Sequence, residues 1–308
     1  MKNQLFMTMV LFAIVVAGCS NNTNSNNQVQ PVSNKIELAG SDTMSQMVSN
    51  IAEAYSKIDP NTKISVTGTG SGAGIASLIN GEIDIADASR TIKDKEMEQA
   101  KKNGITPTEF IIARDTLAVI VNKDNPLSKI SIKQLSKIYQ GNTSSWKSIN
   151  GNEQQITLYG RQTTSGTYVY FQEEVVKGDY SPKMRNMEGN QAIIDAVRQD
   201  KSGIGYASAG YIVGENGKLL DGIKIVSIAK DEKSEYISPL DVSKRASYPL
   251  SRVLVQYFAK TPVKGTPIYN FLLFELSSEA QDIIKKSGYI SIYPEDKAKN
   301  DITLSGLG

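Results

Sequence analysis

Short β-branched runs that alternate with amphipathic helical stretches predict an α/β fold, with parallel strands and helices packed on both faces of the sheet. Two observations refine that class. Three Gly/Ser/Thr loops each lead directly into a helix, and two turn-rich crossings let the first part of the body resume near the C-terminus. The expected architecture is two lobes joined by two crossing hinge strands, a form suited to closing around a ligand.

Strands are expected at residues 35–38, 63–67, 83–86, 110–113, 117–121, 156–159, 204–207, 223–228 and 253–258, where β-branched and aromatic residues recur. The first helix is read from Met44, Met47, Val48, Ile51, Tyr55 and Ile58, whose spacing marks one apolar face. Further helices are expected at 94–103, 132–139, 191–199 and 267–276. The strand at 117–121 exits through Asn122-Lys123-Asp124-Asn125-Pro126, and Ser247-Tyr248-Pro249-Leu250 leads back into 253–258. These crossings divide the body into lobe one, 35–122 plus 251–308, and lobe two, 123–250. A single wider sheet fits the same composition.

The amino terminus reads as a targeting segment. Lys2 precedes an apolar stretch at 5–17, short for a membrane span, and the small residues Val16-Ala17-Gly18 run into Cys19. Residues 1–18 are expected to be a signal peptide. The tetrapeptide resembles a bacterial lipobox, which implies lipidation of Cys19. The alternative is an ordinary secretory signal beside an incidental cysteine. Cys19 is the only cysteine in the chain, so it has no disulfide partner. Residues 19–34 then form the lipidated start of a flexible tether, too polar to offset the entropy of ordering. Together these place the chain on the outer face of the cytoplasmic membrane. The net charge is +2 and no basic face with interleaved aromatics is visible, which argues against a nucleic-acid partner. A monomer is expected.

Each loop is a candidate anion site, because a helix N-terminus carries unpaired N–H groups and partial positive charge. In Gly40-Ser41-Asp42-Thr43 the donors are the N–H groups of Thr43 and Met44 and the Thr43 hydroxyl, while the same residues suit an ordinary helix cap. Gly68-Thr69-Gly70-Ser71-Gly72-Ala73-Gly74 permits close backbone approach, although a tight turn uses glycine in the same way. It lacks the Gly-Lys-Ser/Thr ending of a nucleotide P-loop and the spacing of a dinucleotide fingerprint. Arg161-Gln162-Thr163-Thr164-Ser165-Gly166-Thr167 is the most distinctive. Arg161 ends a strand and Ser165-Gly166-Thr167 opens a helix, which sets a planar charged donor beside backbone donors. A solvated arginine next to a Ser-Gly cap is the plainer reading. A fourth segment, Asp84-Ile85-Ala86-Asp87-Ala88-Ser89-Arg90, puts Ser89 and Arg90 at the carboxyl edge of the sheet, where α/β proteins bind ligands. Asp87 there also suits a buried acceptor, and Arg90 a surface ion pair.

In order and spacing these segments, with Gly203-Ile204-Gly205-Tyr206, resemble the substrate-binding lipoprotein of Pst-type phosphate ABC transporters, over essentially the whole body from Ile36 to Ile292. The resemblance implies a two-lobed periplasmic-binding-protein fold without cofactor or metal. It also implies capture of inorganic phosphate in the cleft and delivery to the transmembrane permease subunits of an ABC transporter. The donors it implies are Thr43, Met44, Ser71, Arg161, Ser165, Gly166 and Thr167, with Gly72 and Ser89 beside them. Well-known members carry an aspartate at the position of Ser89, which accepts the proton of hydrogen phosphate. They carry another aspartate two residues beyond the binding arginine, which limits its charge, where this chain has Thr163. Both departures bear on the rejection of sulfate, which has no proton to give and is repelled by a buried carboxylate. Asp42 is the nearest acidic candidate for that proton, and Arg90 stands behind the site.

The chain has no histidine. That excludes Ser-His-Asp and Cys-His catalysis and His-bearing zinc sites. No paired-acid segment stands out, so the chain is not expected to be an enzyme. The rival readings are a receptor for another tetrahedral oxyanion such as sulfate or molybdate, and a tethered adhesin or phosphate-sensing surface protein with no transport role.

Overall fold

The computed structural model describes residues 34–149, 153–214 and 217–306. The expected signal peptide, the lipidated Cys19 and the tether up to residue 33 lie outside the described residues. Ten strands follow: β1 Lys35–Gly40, β2 Lys63–Gly68, β3 Ile85–Ala88, β4 Thr108–Asn122, β5 Lys129–Ser131, β6 Thr157–Arg161, β7 Arg185–Met187, β8 Gly203–Ser208, β9 Ile223–Ala229 and β10 Ser251–Phe258. The α-helices are α1 Asp42–Ile58, α2 Ser71–Ile79, α3 Asp94–Lys102, α4 Ile132–Tyr139, α5 Gly166–Phe171, α6 Asn190–Gln199, α7 Ala209–Ile212, α8 Pro267–Glu275, α9 Ser278–Lys286 and α10 Pro294–Ser305.

The strands pair in the order β2-β1-β3-β10-β4-β8-β6-β7, with β9 against β4 and β5. β1 runs parallel to β2 and β3, and β6 runs parallel to β7 and β8, as the strand–helix alternation predicts. β4 and β10 depart from that pattern, because both run antiparallel to every neighbour. They are the strands expected to cross between lobes, and they are not steps of a parallel strand–helix–strand repeat.

β4 joins what the sequence suggests are two strands, 110–113 and 117–121. The interruption is Arg114-Asp115-Thr116, three polar residues that stay extended because each finds a partner. Arg114 is bidentate to Asp296 at the start of α10, with Nε to Oδ2 at 2.7 Å and Nη2 to Oδ1 at 2.8 Å. Asp115 pairs with Arg252, and the Thr116 hydroxyl donates to Pro239 O at 3.2 Å. β3 begins two residues later than expected, since Asp84 turns its carboxylate to the Glu37 N–H at 2.8 Å. Sequence reasoning missed β5 and β7, three residues each, and the helices α7, α9 and α10.

Alternation along β4 sorts its side chains into four cores. Phe110 and Ile112 pack with Met44, Met47, Ile51 and Tyr55 of α1 and with Phe271 of α8, whereas Ile111 faces Ile75 and Leu78 of α2. Further on, Leu117, Val119 and Val121 pack with Leu135, Tyr139 and Phe171, and Ala118 and Ile120 with Ile193 and Val197 of α6. The sequence reading put 117–122 with lobe one, but these side chains share cores with α4, α5 and α6. Leu250 joins them, and its carbonyl accepts from the Leu117 N–H at 2.9 Å.

Two close backbone approaches set where the helix N-termini lie. Gly40 has φ +139°, and a Cβ there would fall 2.2 Å from Asp87 O. A Cβ on Gly74 would fall 2.4 Å from Ala39 O, so α2 rests directly on β1. Alanine normally stabilises a helix interior relative to glycine. At this position the sign reverses: Gly74→Ala should destabilise by roughly 1–3 kcal/mol through overpacking. Denaturant unfolding checks it, and an unchanged or raised midpoint contradicts the packing.

Buried acids lie behind the first and fourth loops. The Gln256 side-chain amide donates to Asp87 Oδ1 at 3.2 Å and to Glu275 Oε1 at 3.0 Å. Asp87 is therefore a buried structural group. Burial pushes its carboxyl up to about 7, against the opposing Gln256 bond, and raises Glu275 well above the usual carboxylate range. A carboxyl that binds its proton more tightly in the folded state stabilises the fold at low pH. That contribution is complete below the unfolded value, about 4, and is lost as pH rises through the folded value. Stability should therefore fall between pH 5 and 7, by at most about 1.4 kcal/mol per pH unit for each proton. Asp87→Asn should flatten the profile, measured by thermal melts across that range. A profile equally steep in the variant assigns the proton elsewhere.

Candidate functional site

The three loops converge. Ser41 is the N-cap of α1, Gly70 that of α2 and Ser165 that of α5. The Thr43 and Thr167 hydroxyl oxygens lie 3.1 Å apart, although 124 residues separate them in sequence. Gly72 N–H donates to Thr164 O at 3.0 Å, which joins the second loop to the third. The Ser71 and Ser89 hydroxyls are 3.4 Å apart, and the Ser89 N–H donates to Ser71 Oγ at 3.1 Å. Gly166 sits over this pair: a Cβ there would fall 2.3 Å from Ser71 Oγ and 2.7 Å from Ser89 Oγ. Thr43, Ser71, Ser89, Arg161, Ser165, Gly166 and Thr167 are thus brought together, all buried.

Arg161 is the charged member, 2% exposed at the end of β6. Its N–H donates to the Tyr206 hydroxyl at 3.1 Å, and Nη2 donates to Glu188 O at 3.2 Å. Nη1 lies 3.1 Å from Asp42 Oδ2 without the alignment of a hydrogen bond, and neither Nη1 nor Nε has a hydrogen-bond acceptor. Burial pushes the Arg161 guanidinium below its usual range, while Asp42 acts in the opposite direction. A buried guanidinium with free donors among hydroxyls and helix N-termini can hold a dehydrated oxyanion.

Several expected residues turn out to be engaged elsewhere. The Met44 N–H closes a turn on Ser41 O at 3.0 Å and its side chain lies in the core, so it is not a free donor. The Gly72 amide is taken by Thr164 O, as above. Ser165 Oγ caps its own helix, accepting from the N–H groups of Thr167 at 3.1 Å and Tyr168 at 3.3 Å. Arg90 forms a fork with Glu96, Nη1 to Oε2 at 2.8 Å and Nη2 to Oε1 at 2.6 Å, and lies beneath Gly72. A Cβ on Gly72 would come 3.6 Å from Arg90 Nη2, so the guanidinium packs against the second loop. Asp42 is the first residue of α1, after Ser41 at the N-cap position, where no side chain makes a capping bond. Its Oδ2 accepts from the Asn190 N–H at 3.2 Å and from Asn190 Nδ2 at 2.8 Å.

Sequence reasoning missed Asp115, Arg252, Asn190 and Ser208. Arg252 donates through Nε and Nη2 to Asp115 Oδ2, at 3.1 and 2.8 Å, and through Nη1 to Ser89 O at 3.1 Å. The Ser208 hydroxyl donates to Asp115 Oδ1 at 2.7 Å. The available signal was the polar triplet inside the apolar run of β4, since an extended charged residue between two apolar stretches must find a partner. Among the described residues no group of His, Cys, Asp and Glu could hold a metal ion, and no helix is long and apolar enough to cross a membrane.

Comparisons with known proteins agree with this architecture. The family model of the PBP superfamily domain matches residues 25–278. The phosphate-binding protein PstS of Pseudomonas aeruginosa is 31% identical over 293 residues, which cover 90% of this chain and 88% of the relative. PstS of Staphylococcus haemolyticus is 34% identical over 310 residues, covering 98% and 96%. A Clostridium perfringens chain assigned as a phosphate ABC transporter substrate-binding protein, solved with bound phosphate, superposes with a TM-score of 0.72 at 28% identity. The match covers 84% of this chain and all of that one. A phosphate transport receptor from Vibrio cholerae gives a TM-score of 0.67 at 27% identity, covering 83% and 100%. With the helix N-termini, the buried arginine and the strand order all in place, this chain belongs to the PBP superfamily and, within it, to the PstS family of phosphate-binding proteins.

Proposed function

We propose that the chain is an extracytoplasmic receptor that captures inorganic phosphate between two lobes and delivers it to the transmembrane subunits of an ABC transporter. One observation carries this reading: Arg161 is buried, with unpartnered donors, where three helix N-termini meet. Thr43, Ser71, Ser89, Thr167 and the Gly166 backbone complete the cage. Neutral hydroxyls and amides supply most donors, which suits an ion that must be stripped of water and held from all sides. The relatives named for phosphate binding, and the phosphate-bound Clostridium perfringens chain, support the choice of ligand.

The lobes meet along β4 and β10. Lobe one comprises 35–116 and 251–308 and lobe two 117–250, because Leu117 and Leu250 share a core with Phe171. Cargo delivery requires that the permease tell the closed form from the open one, and a cleft closing on β4 and β10 supplies that difference. Cys19 carries a lipid that holds the receptor at the outer face of the cytoplasmic membrane. Residues 20–34 act as the leash, and the receptor works as a monomer.

Calorimetry with phosphate, arsenate, sulfate and molybdate tests the ligand directly. Saturable heat with sulfate or molybdate but none with phosphate overturns the reading. Arg161→Ala should weaken phosphate by roughly 2–5 kcal/mol, since truncation strips a buried anion of its charged partner. Binding within about threefold of the parent, under about 1 kcal/mol, removes Arg161 from the site.

Cys19→Ser should move the protein from the membrane to the soluble fraction and leave phosphate affinity unchanged. Parent protein found soluble and without lipid contradicts the anchor.

A further inference from the structure

Asp42 belongs to the first loop, yet its carboxylate makes every bond described above to the opposite side of the cleft. Oδ2 accepts from both Asn190 donors and stands beside Arg161 Nη1. The Asn190 N–H is one of those that the start of α6 leaves unpaired, and a carboxylate there also meets the positive end of the helix dipole. Asn190 is fully buried and held in place, because its Oδ1 accepts from the Ser208 N–H at 3.1 Å. Gly189 leaves room for the approach, since a Cβ there would come 3.1 Å from Asp42 Oδ1. The Tyr211 hydroxyl, from α7, donates to the Asp42 backbone carbonyl at 2.7 Å. One residue of lobe one is therefore gripped by Arg161, Asn190 and Tyr211 of lobe two.

We propose that Asp42 is an interlobe latch, whose carboxylate fastens lobe one to Arg161 and the N-terminus of α6 and so sets how long the ligand is retained. The inference rests on the two-lobed phosphate-receptor reading and adds to it a residue that holds the cleft shut. The same ion pair offsets the charge of Arg161, which Thr163 cannot do. Hydrogen bonds to a charged group are the stronger kind, and affinity differences among related complexes lie mostly in the dissociation rate. Loss of the latch should therefore speed ligand release more than it slows capture.

The test uses the full chain in detergent, with radiolabelled phosphate loaded and then chased with unlabelled phosphate. Asn190→Asp sets two carboxylates face to face and should release phosphate about tenfold faster or more. The double variant Asp42→Asn, Asn190→Asp exchanges donor and acceptor at constant net charge. It should restore most of the parent's retention. Asp42→Ala should also release faster. If Asp42 only damped the charge of Arg161, that variant would hold the anion longer. Release at or below the parent rate in Asn190→Asp and Asp42→Ala overturns the latch, as does a double variant no better than Asn190→Asp. Hydrogen exchange gives a readout that needs no ligand. In the ligand-free chain the Asn190 amide should exchange about tenfold faster in Asp42→Ala, and equal exchange overturns the latch even if phosphate is not bound. A parent that retains no phosphate overturns the receptor reading and leaves the exchange result to decide on Asp42.

Discussion

The buried ion pair between Arg252 and Asp115 is the interaction on which the rest of the site depends. The two residues face each other in the β4–β10 register, at the polar break within β4. Their remaining bonds reach outward. Arg252 holds the Ser89 carbonyl, Asp115 takes the Ser208 hydroxyl, and the Tyr170 ring of α5 lies under the guanidinium at 5.2 Å. Strands β4, β8 and β10, the residue after β3 and helix α5 thus converge on two side chains, both almost fully buried. Such a pair must stay matched, because removing one partner leaves an uncompensated buried charge at a cost of roughly 3–5 kcal/mol.

Around that anchor the cage is shaped more by space than by charge. Ser71 and Ser89 stand so close to Gly166 that no side chain fits at that position, and Gly40 and Gly74 bring backbone against backbone under α1 and α2. The donors are thereby held at close quarters by backbone packing, with no space for a side chain among them. Arg90, forked to Glu96, packs against the second loop at Gly72.

What could be read from the sequence follows the range of the interaction. Of the α1 pattern, Met44, Met47, Val48, Ile51 and Tyr55 appear as a single buried face, because a helical period is a local property, whereas Ile58 at the last position of the helix is exposed. The Gly/Ser/Thr loops were legible because helix starts and close backbone approach restrict residue type locally. Asp42 was ambiguous, since a carboxylate at a helix start looks the same whether it caps its own helix or reaches Asn190, 148 residues away. Asp115 and Arg252 were missed because a buried pair 137 residues apart has no local signature beyond a polar break in an apolar strand. The interruption at 114–116 was read as a gap between strands, when β4 runs unbroken through it. The short strands β5 and β7 owe their existence to neighbours, which no three-residue window reveals.

Three buried arginines surround the cage, and each already faces a carboxylate: Arg161 with Asp42, Arg252 with Asp115 and Arg90 with Glu96. The local charge is therefore close to balanced, as is that of the whole chain at +2. A cleft of this kind projects little long-range field into the solvent. Encounter with an anion then proceeds at the ordinary diffusional pace without electrostatic steering, and capture is nearly indifferent to ionic strength. A receptor working outside the cytoplasmic membrane, where salt concentration varies with the surroundings, keeps the same capture rate as those surroundings change.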